Sequence, residues 1–356
     1  MEKQLKVGIA GYGIVGKRRR HFIDLHPNLK VVAVCDKAFA SPGVMDDGVL
    51  CFRDYKTLLK QNFDILFVCL TNDVAAEVTM AGLHAGLHVF CEKPPGRNLN
   101  DIAQVVRCKK HYPQLTLKYG FNHRYHDSVS EALRIIKSEE LGEVINLRGV
   151  YGKSSIVTSS QESDWRASRA IAGGGILLDQ GIHMLDLLRL FAGEFVEIHS
   201  FISNDFWNHD VEDNAYALLR TADKKVAMLH STATQWRHCF DLSIGLEKGT
   251  INLSGILSGT KSYGAETMSI AWASSSDVGD PKEQVTRYTQ DNSWKNEIEE
   301  FASAILKGTP ILHGTEMDAY RTMELLYKIY CADTEWQDKW QLKDVIHETL
   351  TEECES

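Results

Sequence analysis

The stretch LKVGIAGYGIVG, residues 5 to 16, decides how this chain is read. An apolar run, LKVGIA, ends in glycines spaced G-x-G-x-x-G: Gly11, Gly13 and Gly16. The first permits a tight turn out of a strand, the second lets backbone approach a pyrophosphate, and the third packs a helix close to the strand. The segment GIVGKRRRHFIDL predicts that helix, with its N-terminal amides turned toward the phosphates. Twenty residues after Gly16, Asp36 ends the apolar run VVAVCD, placed to accept hydrogen bonds from the adenosine ribose hydroxyls. Tyr12, Ile14 and Val15 share the turn as cofactor contacts, and Asp36 makes NAD the expected cofactor. The Asp36 charge repels a 2′-phosphate. Lys37 and the basic run Lys17 to Arg20 soften that preference toward NADP, although an exposed basic helix face is the plainer reading of that run.

Working outward, DILFVCLT, LHVFCEK and LTLKYGF repeat the short apolar run, with DYKTLLKQ, DVAAEVTMAGLHAG and LNDIAQVVRCKKH as helices between strands. Such alternation predicts a doubly wound parallel α/β sheet. After Phe121 the pattern changes. The helix SVSEALRIIKSE leads into VINLRGVYG, VEIHSFI, AYALLRTADKKVAMLHSTATQW and HCFDLSIGLEKGTINLSG, strand-like runs broken by turn signals, which predict a mainly antiparallel sheet. NSWKNEIEEFASAIL and EMDAYRTMELLYKIY supply the last helices. The expected division is a Rossmann domain over 1–121, an α+β domain over 122–335 and an acidic tail over 336–356.

Composition narrows the function. A chain of 356 residues suits two domains. A formal charge of −9 opposes nucleic-acid binding, which needs a basic face. No apolar run reaches the ~18 residues of a membrane span, and MEKQLKVGIAG lacks the apolar core of a secretory signal, so a cytoplasmic protein without a membrane partner is expected. The eight cysteines are scattered, without a CxxC pair, and predict neither disulfides nor zinc. His123 and His126 cluster without a third ligand at convincing spacing, so no metal is expected.

A second stretch, GGGILLDQGIHMLD at 173 to 186, carries Asp179, His183 and Asp186. If 176 to 191 is one helix, the 3.6-residue repeat stacks all three on one face, and the glycines ahead of it let a substrate approach the first turn. The apolar residues around them imply burial, so an acid and a base there need explaining. In FCEKPPG, residues 90 to 96, Lys93 follows an apolar strand. The carboxyl ends of the strands form the ligand crevice of a doubly wound sheet, and an ammonium there polarises a substrate oxygen.

Taken together, GYGIVG, the Asp36 strand end, EKP at 92 to 94, FNHRY at 121 to 125, LGEV at 141 to 144, DWR at 164 to 166 and GGGILLDQGIH resemble the Gfo/Idh/MocA oxidoreductases. The resemblance implies an N-terminal Rossmann domain and a C-terminal α+β domain on a large, open, mainly antiparallel sheet that mediates oligomers, here a homodimer or homotetramer. It implies hydride transfer between NAD(P) and a hydroxyl or keto carbon of a sugar, inositol or nucleotide sugar. His183 is then the general base, Lys93 holds the same oxygen, and Asp179 orients the substrate or the pair. Asp186 is a structural partner of His183 or a helix neighbour. Thr71, Asn72, Glu92, Lys93 and Asn122 join the cofactor set, while Arg124, Tyr125, Trp165 and Arg166 join Lys93, Asp179 and His183 around the substrate. Two features depart from the family pattern: Ala75 stands where many members have histidine, and PPG follows EK. Trp207 and Trp236 read as core or interface aromatics before stacking platforms. An NAD-dependent glycosidase using transient oxidation and a non-catalytic sensor of NAD and sugar are the competing functions.

Overall fold

A computed structural model describes residues 4–157, 165–274 and 279–343. The chain forms two compact units. One holds the described residues up to Asn122 together with Trp294–Arg321, and the other holds His123–Ser293 and residues 322–343.

The first unit is built on strands β1 (Leu5–Ala10), β2 (Leu29–Cys35), β3 (Gly43–Val44), β4 (Leu50–Phe52), β5 (Ile65–Val68), β6 (His88–Cys91) and β7 (Leu117–Tyr119). They order as β3-β4-β2-β1-β5-β6-β7, parallel except where β3 meets β4. Reversal of order at β1 puts the ligand crevice at its carboxyl end. Helices α1 (Ile14–Asp24), α2 (Tyr55–Leu58), α3 (Asn72–His84) and α4 (Leu99–Lys110) make the crossovers. Local chemistry starts two of them: Asp54 and Asn98 accept from the amides of Thr57 and Asp101 at 2.8 and 2.9 Å.

In the second unit, α5 (Asp127–Lys137), α6 (Arg169–Ala172) and α7 (Ile182–Ala192) accompany eight strands. These are β8 (Val144–Gly152), β9 (Phe195–Ser203), β10 (Asn214–Thr221), β11 (Val226–Thr232), β12 (Cys239–Leu246), β13 (Gly249–Ser254), β14 (Glu266–Trp272) and β15 (Glu283–Tyr288). Their order is β15-β14-β13-β12-β8-β11-β10-β9, antiparallel except for β8 with β11. Strict alternation in β10 buries Ala215, Ala217 and Leu219 and exposes Tyr216, Leu218 and Arg220. On the buried face α7 packs on β8 and β11, with Met184 lying against Gly149.

Three expectations need correction. The second domain was expected to run unbroken over 122–335, but α8 (Ser293–Lys307) brings the chain back to the first unit. There Ile298, Phe301 and Ala302 join the core of β1, β2, β5 and β6, and the Phe301 ring meets Phe67 and Phe90 edge-on at 5.9 and 5.5 Å. Apolar residues at helical spacing find the nearest uncovered sheet face, which no domain boundary read from composition reveals. After α9 (Glu316–Ala332), the expected tail begins as α10 (Thr334–Trp340), capped by Asp333 and anchored by buried Trp336 beside Tyr330. Residues 344–356 of that tail, and Asp164 of the DWR motif, lie outside the described residues. Lastly, the run Lys17 to Arg20 is not simply an exposed face, for the reason given below.

Candidate active site

In the first unit the turn between β1 and α1 has the shape a dinucleotide needs. Gly11 has φ +90°, and a Cβ there would stand 2.2 Å from the carbonyl oxygen of Cys69. A Cβ on Gly16 would stand 2.0 Å from the carbonyl oxygen of Gly11. Gly13 behaves differently: nothing lies within 4 Å of its Cβ position, and no side chain among the described residues caps α1. The first-turn amides therefore open onto free space suited to phosphates. Ile14 is exposed and Tyr12 is buried, so the turn residues are not equivalent.

Asp36 bridges the mouth of this turn. Its carboxylate accepts from the Tyr12 amide at 2.8 Å and the Ala38 amide at 2.9 Å. A carboxylate has about four acceptor sites, so capacity remains for ribose hydroxyls. Lys37 is exposed beside it. The residues present fit a dinucleotide.

Arg19 explains the basic run. It is fully buried between Glu92 and Glu297, with Nη1 2.7 Å from the Glu297 carboxylate, and its guanidinium lies over the rings of Phe90 and Trp294. Arg20 donates to the Tyr12 hydroxyl at 2.8 Å and pairs with Asp24 and Asp47. Glu92, expected at the cofactor, thus spends its carboxylate on Arg19, and the bond ties α1 to the end of β6. The following residue, Lys93, is half-buried just past β6. Thr71 precedes α3 and its hydroxyl donates to Asp73 at 2.5 Å. Asn72, Ala75 and Asn122 are buried.

In the second unit the three residues expected on one helical face separate. Leu177–Gly181 forms a π-helical turn, and the α-helix starts only at Ile182. A wider turn advances each residue by less than the α-helical 100° or so, so Asp179 rotates away from the positions below it. Lys153, just past β8, donates to Asp179 at 2.8 Å, and Arg166 stands 3.7 Å from the other carboxylate oxygen with its guanidinium over Trp165. His183 is buried against His123, ring on ring at 3.7 Å. Asp186, fully buried, receives two bonds from Arg124 at 2.6 Å each and one from Thr322 at 3.2 Å. Arg124 was expected at the substrate and Asp186 beside His183, but their bidentate bond makes them each other's partner. Tyr125 is also buried.

The glycines also take a different role from the expected substrate approach. A Cβ on Gly175 would lie 2.0 Å from the Glu212 carbonyl oxygen, and one on Gly174 would lie 2.4 Å from the Tyr330 hydroxyl. They admit Glu212, whose buried carboxylate accepts from the amides of Gly175 (2.7 Å) and Leu177 (2.9 Å) and from Tyr330 (2.7 Å). That carboxylate satisfies the helix N-terminus, as a dipole argument favours. Burial raises its pKa above the ordinary carboxylate value, with these bonds opposing the rise.

Around the pair of Lys153 and Asp179 stand further polar groups that sequence reading missed. Gln180 donates to Tyr263, whose hydroxyl burial pushes up to about 12. His238, 3.1 Å from the Ser154 hydroxyl, is lowered by burial and then by the Lys153 charge. Lys153 carried the same signal that singled out Lys93, a lysine directly after a strand. Glu212 and Glu297 carried none, because their partners are distant in sequence, and His123 stood out only beside His126. Trp207 packs on Ile156, Ile176, Val211 and Ala233, whereas Trp236 is exposed.

Comparison with known proteins agrees with this architecture. Residues 5–119 match the oxidoreductase-family NAD-binding Rossmann model, GFO/IDH/MocA, and residues 129–252 match the GFO/IDH/MocA C-terminal domain. Levoglucosan dehydrogenase of Pseudarthrobacter phenanthrenivorans is 24% identical over 213 residues, 56% of this chain and 54% of that protein. Inositol 2-dehydrogenase of Salmonella typhimurium is 28% identical over 159 residues, 43% of this chain and 47% of that one. The chain thus spans about half the length of the curated relatives it matches. A solved levoglucosan dehydrogenase in complex with NADH superimposes with a TM-score of 0.81 at 20% identity, covering 94% of this chain and 98% of that one, a likeness of fold. With an open glycine turn, a carboxylate at the end of β2, and one family's two domain models matched in order, the chain belongs to the Gfo/Idh/MocA oxidoreductases.

Proposed function

We propose that this protein is an NAD-dependent dehydrogenase or reductase acting on a hydroxyl or keto carbon of a sugar or polyol. The observation that carries the reading is the ion pair that Asp179, in an otherwise apolar helix start, makes with Lys153 after β8, in a chain whose other unit opens a dinucleotide turn. A nicotinamide held by the first unit would supply the hydride acceptor, or donor, for the substrate carbon. His183 takes the hydroxyl proton, and the Lys93 ammonium stabilises the charge that develops on the oxygen. Asp179, fixed by Lys153, accepts from a neighbouring substrate hydroxyl, and Arg166 with Trp165 bounds that side. Asp36 favours the ribose hydroxyls of NAD over a 2′-phosphate. Gly11, Gly13 and Gly16 hold the pyrophosphate.

The test combines cofactor and substrate. Fluorescence titration should show NADH binding more tightly than NADPH, with Asp36→Ala narrowing the gap. NAD reduction should then appear with members of a panel of free sugars, inositols and nucleotide sugars. Tighter NADPH binding would reverse the cofactor assignment, and a cofactor retained without net reduction would favour the glycosidase instead.

The reading extends to assembly. Phe201, Tyr216, Leu218, Val226 and Met228 are all exposed on neighbouring strands β9, β10 and β11, where Tyr216 pairs with Phe201, Leu218 with Met228, and Val226 with Arg220. A sheet face that exposes these apolar side chains suits self-association into a symmetric homodimer or homotetramer.

A further inference from the structure

Tyr12, in the glycine turn, stands between Asp36 and a guanidinium. Its amide donates to the Asp36 carboxylate at 2.8 Å, while its hydroxyl accepts from Arg20 Nη1 of α1, also at 2.8 Å. The Tyr12 ring stacks beside Phe39, just past Asp36, with centroids 6.1 Å apart and planes 26° from parallel. Three other cationic side chains flank this corner. Lys17 Nζ lies 6.0 Å from the centre of the Tyr12 ring, and Lys37 follows Asp36 in the chain. The Asp36 amide donates to the Phe52 carbonyl at 3.0 Å, which sets Arg53 beside it. Lys17, Lys37 and Arg53 are all exposed, where water and salt screen their charge.

Arg20 differs from them. Its side chain is only 13% exposed, and two carboxylates hold it: Nε is 3.2 Å from Asp24, one helical turn on, and Nη2 pairs with Asp47. Asp47 sits in the turn between β3 and β4. There the Met45 amide donates to the Val49 carbonyl at 2.8 Å, and the Val49 amide donates to Asp47 Oδ1 at 3.2 Å. A closed turn thus presents the other carboxylate oxygen to Arg20. A guanidinium has five N–H donors, and Tyr12, Asp24 and Asp47 engage all three of its nitrogens. At this end of a Rossmann sheet an arginine near the acidic residue is what accommodates a ribose 2′-phosphate. We infer that Asp47 is a specificity-determining residue: by holding Arg20 on the hydroxyl side of Tyr12, it withholds from a 2′-phosphate the partly shielded guanidinium best able to bind it, and so enforces NAD over NADP. The two carboxylates act differently. Asp36 repels the phosphate directly, whereas Asp47 removes its partner. The inference rests on the dinucleotide reading of the glycine turn.

The test is fluorescence titration of the full-length protein with NADH and NADPH, read as the ratio of the two dissociation constants. Lost packing weakens both dinucleotides alike, so the ratio isolates specificity from structure. Asp47→Asn keeps an acceptor for the Val49 amide and removes the charge, and the ratio should move toward NADPH by about fivefold or more, the worth of one charge-assisted contact at a partly exposed site. Adding Arg20→Met to Asp47→Asn should cancel that gain, because the gain comes through the guanidinium. An unmoved ratio in Asp47→Asn overturns the inference. So does an equal gain with and without Arg20, which would reduce the effect to net charge. Asp36→Ala separates the inference from its foundation: a ratio that moves in Asp36→Ala and not in Asp47→Asn leaves the dinucleotide site standing and removes Asp47 from its specificity, whereas a wild type that binds neither dinucleotide overturns both.

Discussion

At the scale of single residues, His183 and Lys93 differ in what each is expected to do, and kinetics separates them. His183→Asn keeps most of the shape but removes a base, so kcat should fall by roughly 10²- to 10⁴-fold while NADH affinity barely changes. Lys93→Met should also slow turnover. If both groups serve one substrate oxygen, the double variant should lose less than the product of the single losses. Near-wild-type turnover in His183→Asn would remove the base from the proposal. Arg19 sets a different problem, one guanidinium buried between two carboxylates. Burial pushes the Glu297 carboxyl from its ordinary 4.5 up to about 7, with Arg19 opposing the rise and Glu92 adding to it. The folded protein therefore binds an extra proton between those values, so this contribution to stability is full below about 4.5 and declines as pH rises toward about 7. Arg19→Met should cost about 3–5 kcal/mol at neutral pH and steepen that decline. Urea midpoints at about pH 5 and about pH 8 measure both, and an equal loss at each would reduce Arg19 to packing alone.

Among the elements, the π-helical turn Leu177–Gly181 has the largest effect on the site. It divides a segment that reads as one amphipathic helix into a turn that aims Asp179 at Lys153 and a helix that aims His183 at His123. Its cause is visible in the packing: Glu212 binds the amides at its start, and Ser231 presses on Gly181 at its end, 2.6 Å from a Cβ position. Gly175→Ala should therefore destabilise the protein by about 1–3 kcal/mol, since the backbone of Glu212 has to move. Thermal denaturation checks this, and an unchanged midpoint would mean that the contact yields freely. Exposed Gly13, with an open Cβ position, should tolerate alanine far better in the absence of cofactor.

For the whole molecule, the uncovered face of β9, β10 and β11 leads to a prediction about mass in solution. Light scattering at micromolar concentration should report a dimer or tetramer. Leu218→Glu, which places a charge amid Tyr216, Phe201 and Met228, should lower that mass without unfolding the chain. A wild-type monomer would refute the assembly.

Much of this was legible in the residue order because it depends on neighbours in the chain. The strand and glycine pattern of 5 to 16, the acid twenty residues on, and the alternation of β8 through β13 are local signals: backbone torsion, helix dipole and period-two burial act over a few residues. The position of Lys93 just past a strand end was legible in the same way. Contacts between distant segments decided the rest. Arg19 became structural through Glu297, 278 positions away, and Arg124 was drawn from substrate to Asp186, 62 positions on. Glu212 reshaped the turn before α7, and His123 found His183. A buried charge or ring takes the partner that the fold brings within reach, and desolvation makes that partner obligatory. Residue types and spacing therefore determined a dinucleotide-binding fold and put Asp179 and His183 in one short stretch, and tertiary packing alone decided which partner each of them meets.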